Sequence, residues 1–185
     1  MSRSPLPFAL LVLALLLSAG CRKETTAAAP PPPQEITTGA TGRYCGMALS
    51  EHNGPKAQIL LKSQHEPVWF SSVRDVFAFT LIPEEPKDIA AIYVHDLARA
   101  KNWDQPEPGM WVEARHAFFV LGSRKDSAMG APEAFPFSDE AAAHAFTAAH
   151  GGRVVRFAAI REDFVFGDPS SEPISVTPIA PGPSR

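Results

Sequence analysis

The sequence predicts an α+β fold, with two β-β-α units packed into one compact domain. Two regions each contain a pair of short apolar runs, suited to strands, followed by a segment with apolar residues at helical spacing. The two regions also repeat each other at a distance of 67 residues. The repeated pairs are Phe70 with Phe137, Ser71 with Ser138, Ala78 with Ala145 and Phe79 with Phe146. Because each unit is too small to bury its own sheet face, we expect the two to share one core.

The first unit is expected to consist of two strands and a helix. Residues 57–61 form a short apolar run, and residues 67–70 form a second one after a polar turn. Ser72, with Asp75 three residues later, is typical of a helix N-cap followed by an acid in the first turn. A helix is therefore expected to begin at Ser72 and to end before Pro83.

The second unit is expected to repeat this order. Its helix begins within residues 137–140, where early acids suit the helix dipole, and ends at Gly151. Four further apolar runs are expected to be strands: 89–94, 111–114, 117–121 and 154–160. The last of them closes the folded region.

The first 20 residues have the features of a bacterial lipoprotein signal peptide. Arg3 precedes an apolar run at 8–17, and small residues lead to Cys21. The apolar run is shorter than the roughly 20 residues that a membrane-spanning helix needs. Ala19-Gly20-Cys21 resembles a lipobox, in which the cysteine sulfur carries the lipid. We therefore expect Cys21 to be lipidated.

Composition divides the rest of the chain into three parts. Residues 21–42 are rich in Thr, Ala and Pro, with four consecutive prolines at 30–33, and predict a semi-rigid tether. Residues 43–166 are expected to form the folded domain. Residues 167–185 contain five prolines and predict a disordered tail. The formal net charge of −3 and the absence of a basic run argue against binding to nucleic acid.

Sulfur ligands are the main candidates for chemistry. If Cys21 carries lipid, Cys45 is the only free thiol, and Met47 lies two residues away. In an extended chain these two side chains point to the same face, and soft sulfur ligands select Cu(I). Met129 lies in a loop of small residues, and His52 precedes a turn and is a reserve nitrogen ligand. The alternative is that these are ordinary core or loop residues.

Enzymes with common sequence signatures are not indicated. The chain has no Gly-x-Ser-x-Gly, no phosphate-binding glycine loop, no His-Glu-x-x-His and no Cys-x-x-Cys. Two alternatives stay open. One is a periplasmic thiol-dependent enzyme that uses Cys45, with His95 and Asp96 as base and orienting acid. The other is a non-catalytic lipoprotein scaffold in which Cys45 is buried.

Several motifs, in order along residues 43–160, resemble the NosL family of nitrous oxide reductase accessory lipoproteins. The matching segments are Cys21, 44–47, 54–59, 93–96, 111–123, 129–130, 135–137 and 151–154. The family's fold is similar to two β-β-α units. The resemblance implies a non-enzymatic copper chaperone that binds Cu(I) and passes it to nitrous oxide reductase, for assembly of the copper–sulfur catalytic centre of that enzyme.

The resemblance also implies a site and a location. Carried over by position, the metal ligands are Cys45, Met47 and Met129, with His52 in reserve. The expected location is the periplasmic face of a bacterial membrane, through the lipid on Cys21. The expected partners are nitrous oxide reductase and a membrane copper and sulfur maturation complex.

Overall fold

The computed structural model describes residues 29–125, 127 and 130–167. Within these ranges the chain forms seven strands, three α-helices and three short 3-10 helices. The strands are β1 (Ala57–Leu61), β2 (Val68–Phe70), β3 (Ile89–His95), β4 (Trp111–Glu113), β5 (Phe118–Leu121), β6 (Phe135–Phe137) and β7 (Arg153–Arg156). The α-helices are α1 (Arg74–Leu81), α2 (Glu140–His150) and α3 (Glu162–Phe166), and the 3-10 helices are Leu49–Glu51, Ala114–His116 and Phe157–Ala159. No helix in this part of the chain has the length and apolar character needed to cross a membrane.

The strands form two antiparallel sheets with the orders β2-β1-β3-β4 and β6-β5-β7. The two sheets share one topology, because the first strand of each unit lies between the next strand and the strand after the helix. The predicted α+β class is confirmed. Each unit is β-β-α-β, since the strand that follows the helix returns to the same sheet as the pair before it.

The 67-residue repeat reflects this topology only in part. Phe70 ends β2 and Phe137 ends β6, 67 positions apart, but their strand partners Ala57 and Phe118 are 61 apart. The connection between these paired residues is therefore six residues longer in the second unit, and its β5–β6 loop is the longer of the two. This longer loop, residues 122–134, includes the position of Met129.

The main hydrophobic core contains residues from both units. Phe77 of α1 meets Phe119 of β5 edge to face, with ring centroids 5.3 Å apart. Phe70, Ile92 and Val165 lie in the same buried cluster. Because both sheets contribute to one continuous core, the two units form a single domain.

Residues before Cys45 cover the outer face of the first sheet. Gln34 and Gln58 exchange two hydrogen bonds of 2.8 Å between backbone and side chain. The Tyr93 hydroxyl donates to the Pro31 carbonyl at 2.8 Å, and Ala40 is buried. This packed stretch overlaps the segment predicted as a tether, 21–42. The predicted signal peptide, Cys21 and the tail from residue 168 lie outside the described residues.

Two local predictions were wrong. Ser72 does not cap α1: Val73 precedes the helix, and it makes no side-chain cap hydrogen bond. Instead, the Glu133 carboxylate accepts a hydrogen bond from the Arg74 amide, the first amide of the helix. The last strand ends at Arg156 rather than at residue 160, because the next three residues turn into a 3-10 helix. By contrast, α2 ends at Gly151 as expected, with φ of 75°.

Candidate metal centre

Cys45 and Met47 lie on a tight surface loop formed by residues 41–48. Thr41 pairs with Ala48 at its base. The Gly42 amide donates to the Met47 carbonyl at 3.0 Å, and the Gly46 amide donates to the Gly42 carbonyl at 2.8 Å. Gly46 has φ of 68°, which other residues adopt with strain. The segment is therefore a turn rather than the extended chain assumed in predicting that the two sulfur atoms share a face.

The loop is fastened to the first unit on the N-terminal side of Cys45. The Arg43 amide donates to the Trp69 carbonyl on β2 at 2.8 Å. The Arg43 guanidinium and the Tyr44 hydroxyl both donate to the Glu85 carboxylate, at 3.1 and 3.0 Å. Burial, and then the bond to Glu85, raise the pKa of Tyr44, so its hydroxyl remains a donor at neutral pH. These contacts give the loop a defined position beside β2.

The Cys45 thiol is half-buried and meets a buried hydroxyl. Its Sγ lies 3.2 Å from Oγ of Ser71, the residue that follows β2. Gly42 leaves the necessary room, because a Cβ there would lie 2.7 Å from Sγ and 3.0 Å from the Ser71 Oγ. Sequence reasoning missed Gly42 and Ser71. No local pattern marks either of them, since each matters only through a contact across the loop.

The Met47 side chain is 41% exposed. A methionine that served only to fill a core would be buried, so that interpretation is wrong for Met47. Its neighbour Tyr44 is 42% exposed, and its ring lies tilted against Phe70 with the ring centroids 5.9 Å apart. The loop thus carries an exposed methionine and a partly accessible thiol two residues apart in the chain.

Met129 lies outside the described residues, so its role as a third ligand stays a prediction. The described end of its loop contacts the first unit through Glu133, which the sequence did not indicate. Burial raises the pKa of Glu133 to about 7, opposed by hydrogen bonds from Ala134, Arg74 and Ser72. Its Oε1 accepts from the Ala134 amide at 2.8 Å and from the Arg74 amide at 3.0 Å.

His52 lines a cavity of about 170 Å³ together with Lys56 and His95. Its Nε2 is buried and has no hydrogen-bond partner among the residues that the structure describes. Within the same residues, no hydrogen bond joins His52 to Cys45 or Met47. Its place as a reserve ligand therefore stays a prediction.

His95 and Asp96 do not form a base and its orienting acid. The His95 Nδ1 accepts from the Lys56 amide at 3.1 Å, and its ring packs on Trp111 at 4.2 Å. Burial, and then the Lys56 charge, lower the pKa of His95 to about 3, so the ring is neutral. The Asp96 carboxylate instead accepts from Arg99 Nε at 2.7 Å and from the Ser138 amide at 2.9 Å.

Oxygen and nitrogen ligands do not assemble elsewhere in the described part of the chain. In residues 29–125, 127 and 130–167, no group of three or more His, Cys, Asp and Glu side chains could hold a metal ion. The fold and this loop define a two-unit α+β protein with a partly accessible thiol and an exposed methionine on one surface loop.

Comparison with known proteins places the chain within this class. The NosL family model matches residues 33–165. The chain belongs to the NosL family, which confirms the resemblance read from its motifs.

Relatives and a solved structure agree with this assignment. The chain is 43% identical over 164 residues to a protein of Achromobacter cycloclastes named copper-binding lipoprotein NosL, a match that covers 88% of this chain and 84% of that one. It is 37% identical over 113 residues to the protein of the same name from Stutzerimonas stutzeri, with 61% and 57% of the two chains covered. The fold is similar to the crystal structure of the copper chaperone NosL from Shewanella denitrificans, with a TM-score of 0.67, 34% identity, and coverage of 72% of this chain and 98% of that one.

Proposed function

We propose that this protein is a Cu(I)-binding metallochaperone that delivers copper for assembly of the copper–sulfur centre of nitrous oxide reductase. The observation that carries the proposal is that one anchored surface loop holds both the exposed Met47 and the partly accessible Cys45 thiol. The names of its relatives, which describe copper binding and a copper chaperone, support the same conclusion.

The chemistry of the loop suits copper transfer. Thiolate and thioether are soft ligands, and they favour Cu(I) over harder cations. Copper is the cargo, so its ligands must be reachable by those of an acceptor, which displace them one at a time. Cys45 and Met47 on a surface loop meet that need, with Met129 as the proposed third ligand and His52 in reserve.

The described groups do not favour turnover at Cys45. A nucleophilic thiol needs a base within hydrogen-bond reach, and the recorded partner of Sγ is the Ser71 hydroxyl. The contacts that hold His95 are with Lys56 and Trp111, and neither of them involves the Cys45 thiol. A binding protein is therefore a better account of the loop than a thiol-dependent enzyme.

The location and the partners belong to the same proposal. Lipid on Cys21 would hold the protein at the periplasmic face of a bacterial membrane. The relatives named as lipoproteins support this anchor. Nitrous oxide reductase would be the acceptor, and a membrane copper and sulfur maturation complex would be the second partner.

Anaerobic competition for Cu(I) with a chromogenic chelator tests the binding. The full chain is used in detergent and carries Cys21→Ser, so that the thiol at position 21 does not compete for copper. We expect Cys45→Ser to abolish competition and Met47→Leu to weaken it, whereas Met110→Leu serves as a matched control on another loop and leaves it unchanged. Wild-type affinity in Cys45→Ser would overturn the site. A native mass spectrum after Cu(I) addition gives the stoichiometry.

A further inference from the structure

The short turn between β2 and α1 determines where the Cys45 thiol lies. Ser71, Ser72 and Val73 connect the last residue of β2 to the first residue of α1. The Ser71 hydroxyl, which is buried, lies 3.2 Å from Sγ of Cys45. Any change in this turn therefore reaches the thiol directly.

The turn is held from the second unit by Glu133. The Arg74 amide, 59 residues earlier in the chain, donates to Oε1 of Glu133 at 3.0 Å. Glu133 is only 7% exposed, and a buried carboxylate is stabilised only where donors satisfy it. Here the donors are the Arg74 amide, at the end of the turn, and the neighbouring Ala134 amide.

This arrangement replaces an ordinary helix cap. A serine just before a helix usually accepts hydrogen bonds from the first free amides with its own hydroxyl. In this protein the Glu133 carboxylate accepts from the first helical amide instead. The Ser71 hydroxyl is consequently left to face Cys45 rather than the helix.

We propose that Glu133 is a positioning residue for the Cys45 thiol. By capping α1 from the other unit, it keeps the Ser71 hydroxyl against Sγ and holds the thiol in the geometry that binds the metal. The part of this inference that concerns copper rests on the proposed function. The part that concerns the placement of the thiol does not.

The first test measures how fast Cys45 is alkylated in the native protein. The full chain reacts with iodoacetamide, and the modification is counted on the peptide that contains Cys45, so that Cys21 does not contribute. We expect Glu133→Ala to react about ten-fold faster than the wild type, because the loss of hydrogen bonds to a buried carboxylate frees the turn. Glu133→Gln retains an oxygen for both backbone amides, and we expect it to restore a rate within about two-fold of the wild type.

Asp96→Ala is the matched control. Asp96 is also a buried carboxylate that accepts an amide hydrogen bond from the other unit, but its partner is Ser138. We expect this variant to lose stability while Cys45 reacts at the wild-type rate. Glu133→Asp shortens the side chain by one methylene and so weakens the bond to the Arg74 amide. We expect it to give an intermediate rate, and it decides the question if Glu133→Ala does not fold.

The second test measures Cu(I) release to an excess of chelator under anaerobic conditions. We expect release from Glu133→Ala to be faster, with Glu133→Gln and Asp96→Ala close to the wild type. Wild-type alkylation and release in folded Glu133→Ala, or an equal effect of Asp96→Ala on Cys45, would overturn the inference and leave the proposed function intact. If the wild type binds no Cu(I), the proposed function fails, and the alkylation rates alone decide the role of Glu133.

Discussion

The carboxylate of Asp96 accepts a hydrogen bond from the Ser138 amide, 42 residues later, at 2.9 Å. Asp96 follows β3 of the first unit, and Ser138 lies between β6 and α2 of the second. Glu133 and Arg74 make the reciprocal bond, from the second unit to the first. Each unit thus contributes a buried carboxylate to the strand–helix turn of the other, and these two bonds connect the units in addition to the shared core.

Asp96→Ala should destabilise the domain strongly. The change leaves the Ser138 and Ala98 amides without their acceptor and removes the partner of Arg99. We expect a loss of about 3 kcal/mol in the free energy of unfolding, as for other broken buried charge networks. Urea denaturation measures it. Glu140→Gln, which alters an exposed carboxylate on α2, should lower the midpoint far less, because only a weak surface interaction with the helix dipole is lost.

Gly42→Ala should disturb the thiol while the fold survives. The added methyl group would lie 2.7 Å from Sγ of Cys45 and 3.0 Å from Oγ of Ser71, so at least one of them must move. We expect weaker Cu(I) competition and an altered rate of Cys45 alkylation. Gly39→Ala is the control three residues earlier in the chain, because a Cβ there meets no atom within 4 Å. Equal effects of the two substitutions would contradict the packing argument.

Glu133 should make the domain less stable as pH rises. The pKa of Glu133 is raised from 4.5 to about 7 in the folded protein, chiefly by burial. The like charge of Asp75 raises the pKa of Glu133 further. The Glu133 carboxylate in turn raises the pKa of Lys56, although burial lowers it overall. The folded state therefore binds the proton more tightly, and this stabilisation is complete below pH 4.5 and is lost as pH rises through 7.

Glu133→Gln isolates this effect. The difference in unfolding free energy between wild type and variant should change by about 3 kcal/mol from pH 4.5 to pH 7.5, in the direction of a less stable wild type. Urea denaturation at the two pH values measures this difference. A difference that does not depend on pH would show that Glu133 titrates normally in the folded state.

His95 should make the domain less stable as pH falls. Its pKa is lowered from 6.5 to about 3 by burial and by the Lys56 charge, so the folded state disfavours the protonated ring. Its contribution to stability is present above pH 6.5 and is lost as pH falls toward 3, by up to about 5 kcal/mol. His95→Gln lacks a titrating group at this position. Its free energy of unfolding should therefore fall less between pH 7 and acid pH than that of the wild type. Circular dichroism during acid titration provides the measurement.

Much of the fold could be predicted because its signals are local. Strand runs such as 57–61 and the glycine stop at Gly151 depend on residues that are neighbours in the chain, and the structure places both as expected. The cap of α1 was mispredicted for the opposite reason. Ser72 has the local pattern of an N-cap, but a carboxylate from 59 residues away in the chain accepts from the helix instead.

The candidate site likewise combines features that the sequence predicts with features that only the structure shows. Cys45 and Met47 are predicted as ligands from residue type and spacing, because thiol and thioether chemistry belongs to the side chains themselves. The expectation that an extended chain aligns them was wrong, since Gly46 turns the segment back on itself. The contact with Ser71 and the space left by Gly42 had no signal in the sequence, because both arise where the loop meets the end of β2.

By itself, the sequence determined the α+β class and the family, and it predicted the sulfur ligands on the 41–48 loop. These depend on local periodicity, on motifs and on the chemistry of single side chains. Only the tertiary structure shows that the thiol meets Ser71 and that Met47 is exposed. It also shows that Glu133 bonds to the first residue after the turn between β2 and α1. The physical reason is that burial and hydrogen bonding between distant residues depend on how the two units pack, and no short stretch of chain encodes that packing.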